Sequence, residues 1–370
     1  VKIKILLLGF GNVGRGFCEL LSEKRELLMQ RHGIHTSIIG ISTRKRGSIY
    51  VPHGIDMETF LSRTTEDPLL DFKQIFPEMT VKGKDLSVED LVSLADYDVL
   101  AECTVTSMDG GQPACGWIRN ALERGKHVIT TNKGPIAFHY PYLHELELKY
   151  GGRLLFEGTV MSGTPVFSTL SRGLPGSRID SFEGVLNGTC NYILELMQQG
   201  IDYEKALQKA KECGYAEADP SMDVEGYDTA LKALILSQVL NEVSLSMEKI
   251  ELEGIKGINE RFFKEACMGK GKIRLVARGI LGHNSTDISV KPEVLQKDHP
   301  LYNLPGPMNG ILFHSDTIGQ VYISGRGAGS RETGFALLRD LISLFPGEGQ
   351  KFKPINIRES EKLFRSDHRC

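Results

Sequence analysis

Between Glu217 and Lys232 the chain concentrates charge where a helix begins. Glu217, Asp219, Asp223, Glu225 and Asp228 precede one lysine, Lys232, set in the run Ala230-Leu231-Lys232-Ala233-Leu234-Ile235-Leu236. A helix that is apolar all round belongs in a protein interior. Asp228 and Lys232 are four residues apart and share one helical face. An ammonium in such a place loses hydration, so it must be paired or give up its proton more readily. Two chemistries fit. One is a structural ion pair in the core; the other is a catalytic lysine beside an acidic pocket for a small cationic substrate. The segments upstream favour the second.

Those segments begin with an apolar strand over residues 2–8 that runs into Gly9-Phe10-Gly11-Asn12-Val13-Gly14. Apolar residues at helical spacing follow until Gly33. Strand, glycine turn and helix form a dinucleotide-binding fingerprint, with the pyrophosphate on the helix N-terminus. A second strand, residues 37–43, ends in Arg44-Lys45-Arg46 rather than in the acidic residue that would bind the ribose diol of NAD. The basic run therefore points to NADP, with NAD as the alternative; its bland reading is a solvated loop. Residues up to about 84 show no clear period, and Ser87 to Asp90 opens a helix as a capping-type box. Asp98 to Cys103 reads as a buried strand that delivers Thr104, Thr106 and Ser107 to a loop. His127 to Thr131 is the next strand, and its end places Lys133 in the cofactor cleft, since ligands of open α/β sheets bind beyond the strands' carboxyl ends.

Further on, Leu154 to Val160 reads as a strand, helices dominate to about residue 268, and strand-like runs return between Lys272 and Ser324. A Gly325-Arg326-Gly327-Ala328-Gly329 loop then opens a last amphipathic helix and brings Gly329 toward the cofactor. The expected architecture is α/β: a Rossmann-type parallel-sheet domain over residues 1–150, an α+β domain over 151–318, and a C-terminal segment, 319–370, that returns to the first domain and ends in a polar tail. A chain of 370 residues calls for two domains. The net charge of −3 gives no electrostatic case for nucleic acid or a membrane surface. Seven scattered cysteines without metal-binding spacing point to a reducing, cytoplasmic setting. No apolar run reaches membrane-spanning length.

Taken in order, seven segments resemble homoserine dehydrogenases: Gly9–Gly14, Thr131-Asn132-Lys133-Gly134-Pro135, Glu157–Val160, Gly184–Tyr192, Gly214–Pro220, Asp228–Lys232 and Gly325–Gly329. The resemblance runs from Gly9 to about Leu344. It implies NAD(P)-dependent, reversible hydride transfer between L-aspartate 4-semialdehyde and L-homoserine, in the pathway to threonine and methionine. It further implies Lys232 as proton donor, Lys133 at the junction of cofactor and substrate, and Glu217, Asp223 and Asp228 around the substrate with Gly188 and Thr189. A sodium ion held by main-chain carbonyls of Glu157, Val160, Ser162 and Thr164 is implied too, as is a homodimer assembled through the second domain. The segment Val160-Met161-Ser162-Gly163-Thr164-Pro165 is less glycine-rich than usual in that family. The chain runs only a short way past Leu344, so a C-terminal ACT-type regulatory domain is not expected.

Reducing an aldehyde takes a hydride at carbon, from the nicotinamide, and a proton at oxygen, from a positioned acid. The substrate's α-ammonium accounts for the acids near the reacting centre. A thioester-forming semialdehyde dehydrogenase would need an activated cysteine, and Cys190 alone lies in a candidate site loop, without a histidine partner. A non-catalytic NADP sensor would not need Lys133, Lys232 and the acids together. Cys370, at the end of the tail, is a candidate for an intersubunit disulfide under oxidation.

Overall fold

A computed structural model describes residues 1–75, 86–258, 262–263, 271–282 and 286–345. The expectations for Cys370 and the polar tail lie outside these residues. The first domain runs β1 (Lys2–Leu8), α1 (Asn12–Glu23), α2 (Arg25–His32), β2 (His35–Thr43), β3 (Gly47–Tyr50), α3 (Met57–Glu66), α4 (Val88–Leu94), β4 (Val99–Glu102), α5 (Ala114–Glu123), β5 (His127–Thr130), α6 (Lys133–Tyr150) and β6 (Leu154–Leu155). The sheet order is β3-β2-β1-β4-β5-β6, parallel except for the β2–β3 hairpin. Ile5, Leu6, Leu7 and Leu8 are all buried, as a strand covered on both faces by helices requires. Ser87 and Asp90 form the expected capping box of α4.

The second domain runs β7 (Ile179–Val185), α7 (Gly188–Gln198), α8 (Tyr203–Glu212), α9 (Ser221–Val224), α10 (Tyr227–Asn241), β8 (Glu251–Leu252), β9 (Lys272–Leu281), β10 (Thr286–Leu295), β11 (Met308–Ser315) and β12 (Gly319–Arg326), followed by α11 (Ser330–Leu344). Its sheet order is β12-β11-β7-β9-β10-β8. Helix α10 packs on α6 of the first domain and on β9 and β10 of the second sheet. Neighbours on both sides explain why it is apolar all round, and Thr229 through Gln238 are buried without interruption. Helix α11 packs against α1, where Gly334 of one and Gly16 of the other let the backbones approach. Strand β12 pairs with β11, so the return to the first domain is made by α11 and not from residue 319.

Three local expectations change. Residues 57–66 form a helix, α3, where no period was evident, since Phe60 and Thr64 alone are its buried face. The strand expected over Leu154 to Val160 stops at Leu155 and becomes a 3₁₀ turn, Glu157–Thr159. The physical reason is local: the Glu157 carboxylate turns inward and accepts the amides of Val166, Phe167 and Ser168 at 2.6, 2.9 and 2.8 Å. Finally, α10 ends at Asn241 and β8 interrupts the expected helical stretch as an added edge of the second sheet; Phe262 and Phe263 are helical again, and residues 259–261 and 264–270 lie outside the described residues.

Asp340 of α11 is buried, and its carboxyl accepts the Glu157 amide at 3.0 Å. Burial, with the charge of Glu157 behind it, pushes the Asp340 pKa up to about 8. An unfolded aspartate titrates near about 3.9. Between those values the folded chain holds a proton that the unfolded chain lacks, so stability falls as pH rises through that window. Asp340→Asn keeps the acceptor and removes the charge. Thermal denaturation should show wild type losing up to about 1.4 kcal/mol per pH unit on the way to about pH 8, with the variant nearly flat. Parallel slopes for the two proteins would acquit Asp340.

Candidate active site

The strand order reverses between β1 and β4, which opens a cleft at their carboxyl ends. Gly9 takes φ 92°, and a Cβ there would lie 2.6 Å from the Cys103 carbonyl oxygen; at Gly14 a Cβ would strike the Gly9 carbonyl. At Gly11 a Cβ would meet nothing within 4 Å. The one glycine facing open space is thus the one at the start of α1, where Asn12 and Val13 present helix-terminal amides to an anion. The residues fit a dinucleotide pyrophosphate.

Behind this turn Phe10 packs edge-on against Phe60 and Phe72, with ring centroids 5.0 and 6.0 Å away. The Arg46 guanidinium lies 5.2 Å from the Phe10 ring and 4.8 Å from that of Phe72, and it donates to the Phe10 and Pro68 carbonyls. Burial, then the nearby Arg15 charge, lowers the Arg46 pKa. Arg15 likewise lies 5.2 Å from the centre of the Phe10 ring and donates to the Thr64 carbonyl at 2.8 Å. Arg44 and Lys45 stand exposed at the β2–β3 turn. The three residues of the basic run therefore differ: Arg46 braces the glycine turn, while Arg44 and Lys45 face solvent. Gly329 precedes α11, whose Ser330 hydroxyl donates to the Asn12 carbonyl, so the C-terminal loop touches the cofactor turn.

Across the cleft, β4 ends at Glu102, which is fully buried. Its carboxyl accepts the Thr104 amide at 2.8 Å and the Thr130 hydroxyl at 2.8 Å, as well as the Thr104 hydroxyl. Burial raises the Glu102 pKa, and the donors Thr104, Thr130 and Asn132 pull it partly back. Thr106 follows, half-buried, in the loop after β4. Asn132 caps α6 by accepting the Gly134 amide at 3.1 Å. Lys133 is therefore the first residue of that helix.

The Lys133 ammonium lies 3.4 Å from Asp228 Oδ1, and the Lys232 ammonium lies 2.7 Å from Asp228 Oδ2. Lys232 is 7% exposed and also donates to the Leu186 carbonyl at 2.6 Å. Asn187, the cap of α7, gives its amide nitrogen to Asp223 at 2.6 Å and to Asp228 at 2.9 Å. Burial by itself would raise the Asp228 carboxyl. Lys232 and then Lys133 overturn that and hold it well below the usual carboxylate range. Asp223 goes the other way: burial and the Asp228 charge raise it, against Asn187 and Lys232. Thr189, nearly buried, donates to the Tyr215 carbonyl at 2.6 Å, and Gly188 lies hard against the Pro307 carbonyl. Glu217 is exposed on the loop between α8 and α9.

The structure thus brings Lys133, Asp223, Asp228 and Lys232 into one cluster and leaves Glu217 exposed on its loop, without a hydrogen bond or ion pair to any of the four. Asn187 and Asn132 did not stand out from the sequence as site residues, although an asparagine directly before a helix is a capping signal. Glu102 was signalled only by its charge at the end of an otherwise apolar strand. In the implied ion loop, Met161 and Ser162 take φ 58° and 55°, a conformation rare outside glycine. With the Glu157 side chain spent on three amides, its main-chain carbonyl is the oxygen left to offer. Among the described residues no cluster of three or more histidine, cysteine, aspartate or glutamate side chains could hold a metal ion, so a cation here would depend on carbonyl oxygens.

A dinucleotide cleft opening on a buried lysine–carboxylate–lysine cluster defines an NAD(P)-dependent oxidoreductase. The homoserine dehydrogenase family model matches residues 165–342, and that of the homoserine dehydrogenase NAD-binding domain matches residues 9–157. The NAD(+)-dependent homoserine dehydrogenase of Pseudomonas canavaninivorans is 36% identical over 95% of this chain and 98% of its own length. Among solved structures, a putative homoserine dehydrogenase from Archaeoglobus fulgidus aligns with a TM-score of 0.81 at 36% identity, covering 93% of this chain and 100% of that one. A hyperthermophilic archaeal homoserine dehydrogenase in complex with NADPH aligns with a TM-score of 0.78 at 29% identity, covering 94% and 99%. The chain belongs to the homoserine dehydrogenase family. It is an oxidoreductase acting on a CH–OH group, and its reaction joins L-aspartate 4-semialdehyde and L-homoserine.

A depressed carboxylate contributes stability that is complete above its unfolded pKa, about 3.9, and is lost only as pH falls through the folded value. The Asp228 pairs therefore persist across the working pH range. Asp228→Asn should cost about 3 kcal/mol in chemical denaturation, because it strands Lys232 in the core. Adding Lys232→Met should recover much of that loss. A single-variant loss below about 1 kcal/mol would mean the buried ammonium tolerates isolation.

Proposed function

We propose that Lys232 delivers the proton and Lys133 steadies the developing alkoxide when the aldehyde is reduced, with Asp228 holding both. The carrying observation is the cluster itself: one carboxylate shared by two ammonium groups, one at the start of α6 and one inside α10. An ammonium has three donor hydrogens. Lys232 gives one to Leu186 and one to Asp228, which leaves the third for the substrate oxygen. NAD(P)H supplies the hydride when bound. Asp228 stays anionic throughout and keeps the two cations oriented.

Asp223 and Glu217 take the substrate's α-ammonium, Asp223 from within and Glu217 from its exposed loop. The helix-terminal amides of Gly188 and Thr189 suit the α-carboxylate. The carbonyls of Glu157, Val160, Ser162 and Thr164 would hold a sodium ion, which would stiffen this loop beside residues 325–329; Thr164 already donates to the Arg326 carbonyl at 3.2 Å. The enzyme works as a homodimer built on the second domain, a reading supported by exposed Ile280, Ile318 and Tyr322 on and beside that sheet. It serves threonine and methionine synthesis in the cytoplasm. Among the described residues no helix is long and apolar enough to cross a membrane.

NADP(H) binds more tightly than NAD(H), because Arg44 and Lys45 project from the end of β2, where a 2′-phosphate would lie, and no acidic residue occupies that position. Arg46 contributes indirectly by holding Phe10. The relative described as NAD(+)-dependent makes turnover a separate matter from grip: a phosphate held too firmly slows release of NADP.

NADPH and NADH oxidation with L-aspartate 4-semialdehyde tests the reaction itself. Lys232→Ala should lower kcat by about 10²–10⁴-fold with cofactor affinity kept; a loss under about tenfold would assign the proton elsewhere. Calorimetry with both cofactors tests the basic turn. Arg44→Ala should weaken NADP more than NAD, and Arg46→Ala should weaken both. Equal affinity of wild type for the two cofactors would reduce the turn to solvated surface.

A further inference from the structure

We propose that Glu102 is a positioning residue for the reaction, acting through Asn132 on Lys133. The inference rests on the reading of Lys133 given above. Glu102 is fully buried at the end of β4, and among the described residues no cation pairs with it. A buried carboxyl without a cation is costly, and strand packing alone would be served better by an aliphatic side chain. What a carboxyl offers here is acceptor capacity. It receives the Thr104 amide and hydroxyl, the Thr130 hydroxyl, and the Asn132 side-chain nitrogen at 3.5 Å. No other side-chain group accepts that many donors at one point.

The partners form a chain that leads to the cluster. Thr130 accepts the Asn132 amide at 3.0 Å, so its hydroxyl hydrogen is turned to Glu102. Asn132, held at both its amide and its side-chain nitrogen, uses its side-chain oxygen to cap α6. The next residue is Lys133, whose ammonium reaches Asp228 across the domain boundary. The second branch, through Thr104, fixes the loop on the cofactor side of the cleft. One carboxyl therefore sets the relative place of the cofactor loop and of the first turn of α6. Loosening it displaces Lys133 without touching substrate or cofactor, and small misplacements of reacting groups cost large factors in rate.

The test is a cycle of variants in the full chain, with kcat and KM read in the homoserine-oxidising direction: Glu102→Ala, Lys133→Ala and the double variant. Glu102→Ala should lower kcat by about tenfold or more with little change in cofactor KM, and Glu102→Gln, which keeps the shape and part of the acceptor set, should restore much of it. In the Lys133→Ala background Glu102→Ala should cost nothing further, since the residue it positions is gone. Multiplying losses in the double variant would show a general structural role and overturn the proposal. So would a kcat within about twofold of wild type for Glu102→Ala. Normal turnover by Lys133→Ala would instead overturn the reading of Lys133, and the proposal with it. If Glu102→Ala fails to fold, Thr130→Val, equal in volume, removes one link of the same chain; its kcat loss should likewise vanish in the Lys133→Ala background, and persistence of the loss there would count against the proposal.

Discussion

Asp228 is a carboxylate that burial alone would protonate, and two ammonium groups keep it ionised. One comes from the first residue of α6, in the nucleotide domain, and the other from the middle of α10, in the substrate domain. Removing Asp228 would leave the Lys232 ammonium buried without compensation, which costs several kcal/mol. The ion cluster therefore constrains how the two domains meet, and α10 packs along α6 at that meeting. Its largely apolar circumference and its single lysine are two consequences of one position: the helix is wrapped by protein, and its ammonium reaches the Asp228 carboxylate and the Leu186 carbonyl.

The cofactor side uses charge differently. Arg46 is a cation that spends itself inside the fold, stacked on Phe10 and Phe72 and bonded to the carbonyl of the glycine turn. A guanidinium can do this because it is planar, weakly hydrated and rich in donors. Arg44, two residues earlier, has the same chemistry and faces solvent. Sequence reading treats the run as a unit, since nothing in Arg44-Lys45-Arg46 says which side chain turns back. The hairpin decides it: Arg46 directly precedes β3, whose pairing with β2 leads the chain back beside the cofactor turn.

What was legible in the sequence followed from local signals. Alternation between apolar runs and glycine turns exposed the parallel sheet, and the apolar run around Lys232 exposed the buried helix. Helix α3 was hidden because its buried face is so small. The turn at Glu157 was hidden because what breaks the strand is a side chain capturing amides nine to eleven residues ahead. Asn187 and Glu102 share that difficulty. The partners of Asn187 lie 36 and 41 residues away, and those of Glu102 as far as 30. Such roles are properties of the folded arrangement, and no period or spacing encodes them.

The charges of the cluster also bear on what it accepts. Lys133 and Lys232 bring two positive charges, and Asp223 and Asp228 can bring two negative ones, so the site is close to balance before anything enters. A zwitterionic amino acid adds an ammonium and a carboxylate together and disturbs that balance little, provided each end finds its partner. A ligand carrying an additional carboxylate in place of the aldehyde would add one negative charge to a site already near balance and would compete with Asp228 for the two ammonium groups. The raised Asp223 carboxyl fits the same logic. Without a ligand, burial and the neighbouring Asp228 disfavour its anion; an arriving α-ammonium would favour it. On the proposed reading, with the α-ammonium at Asp223, binding of the amino group would favour the Asp223 anion, and the two would be linked.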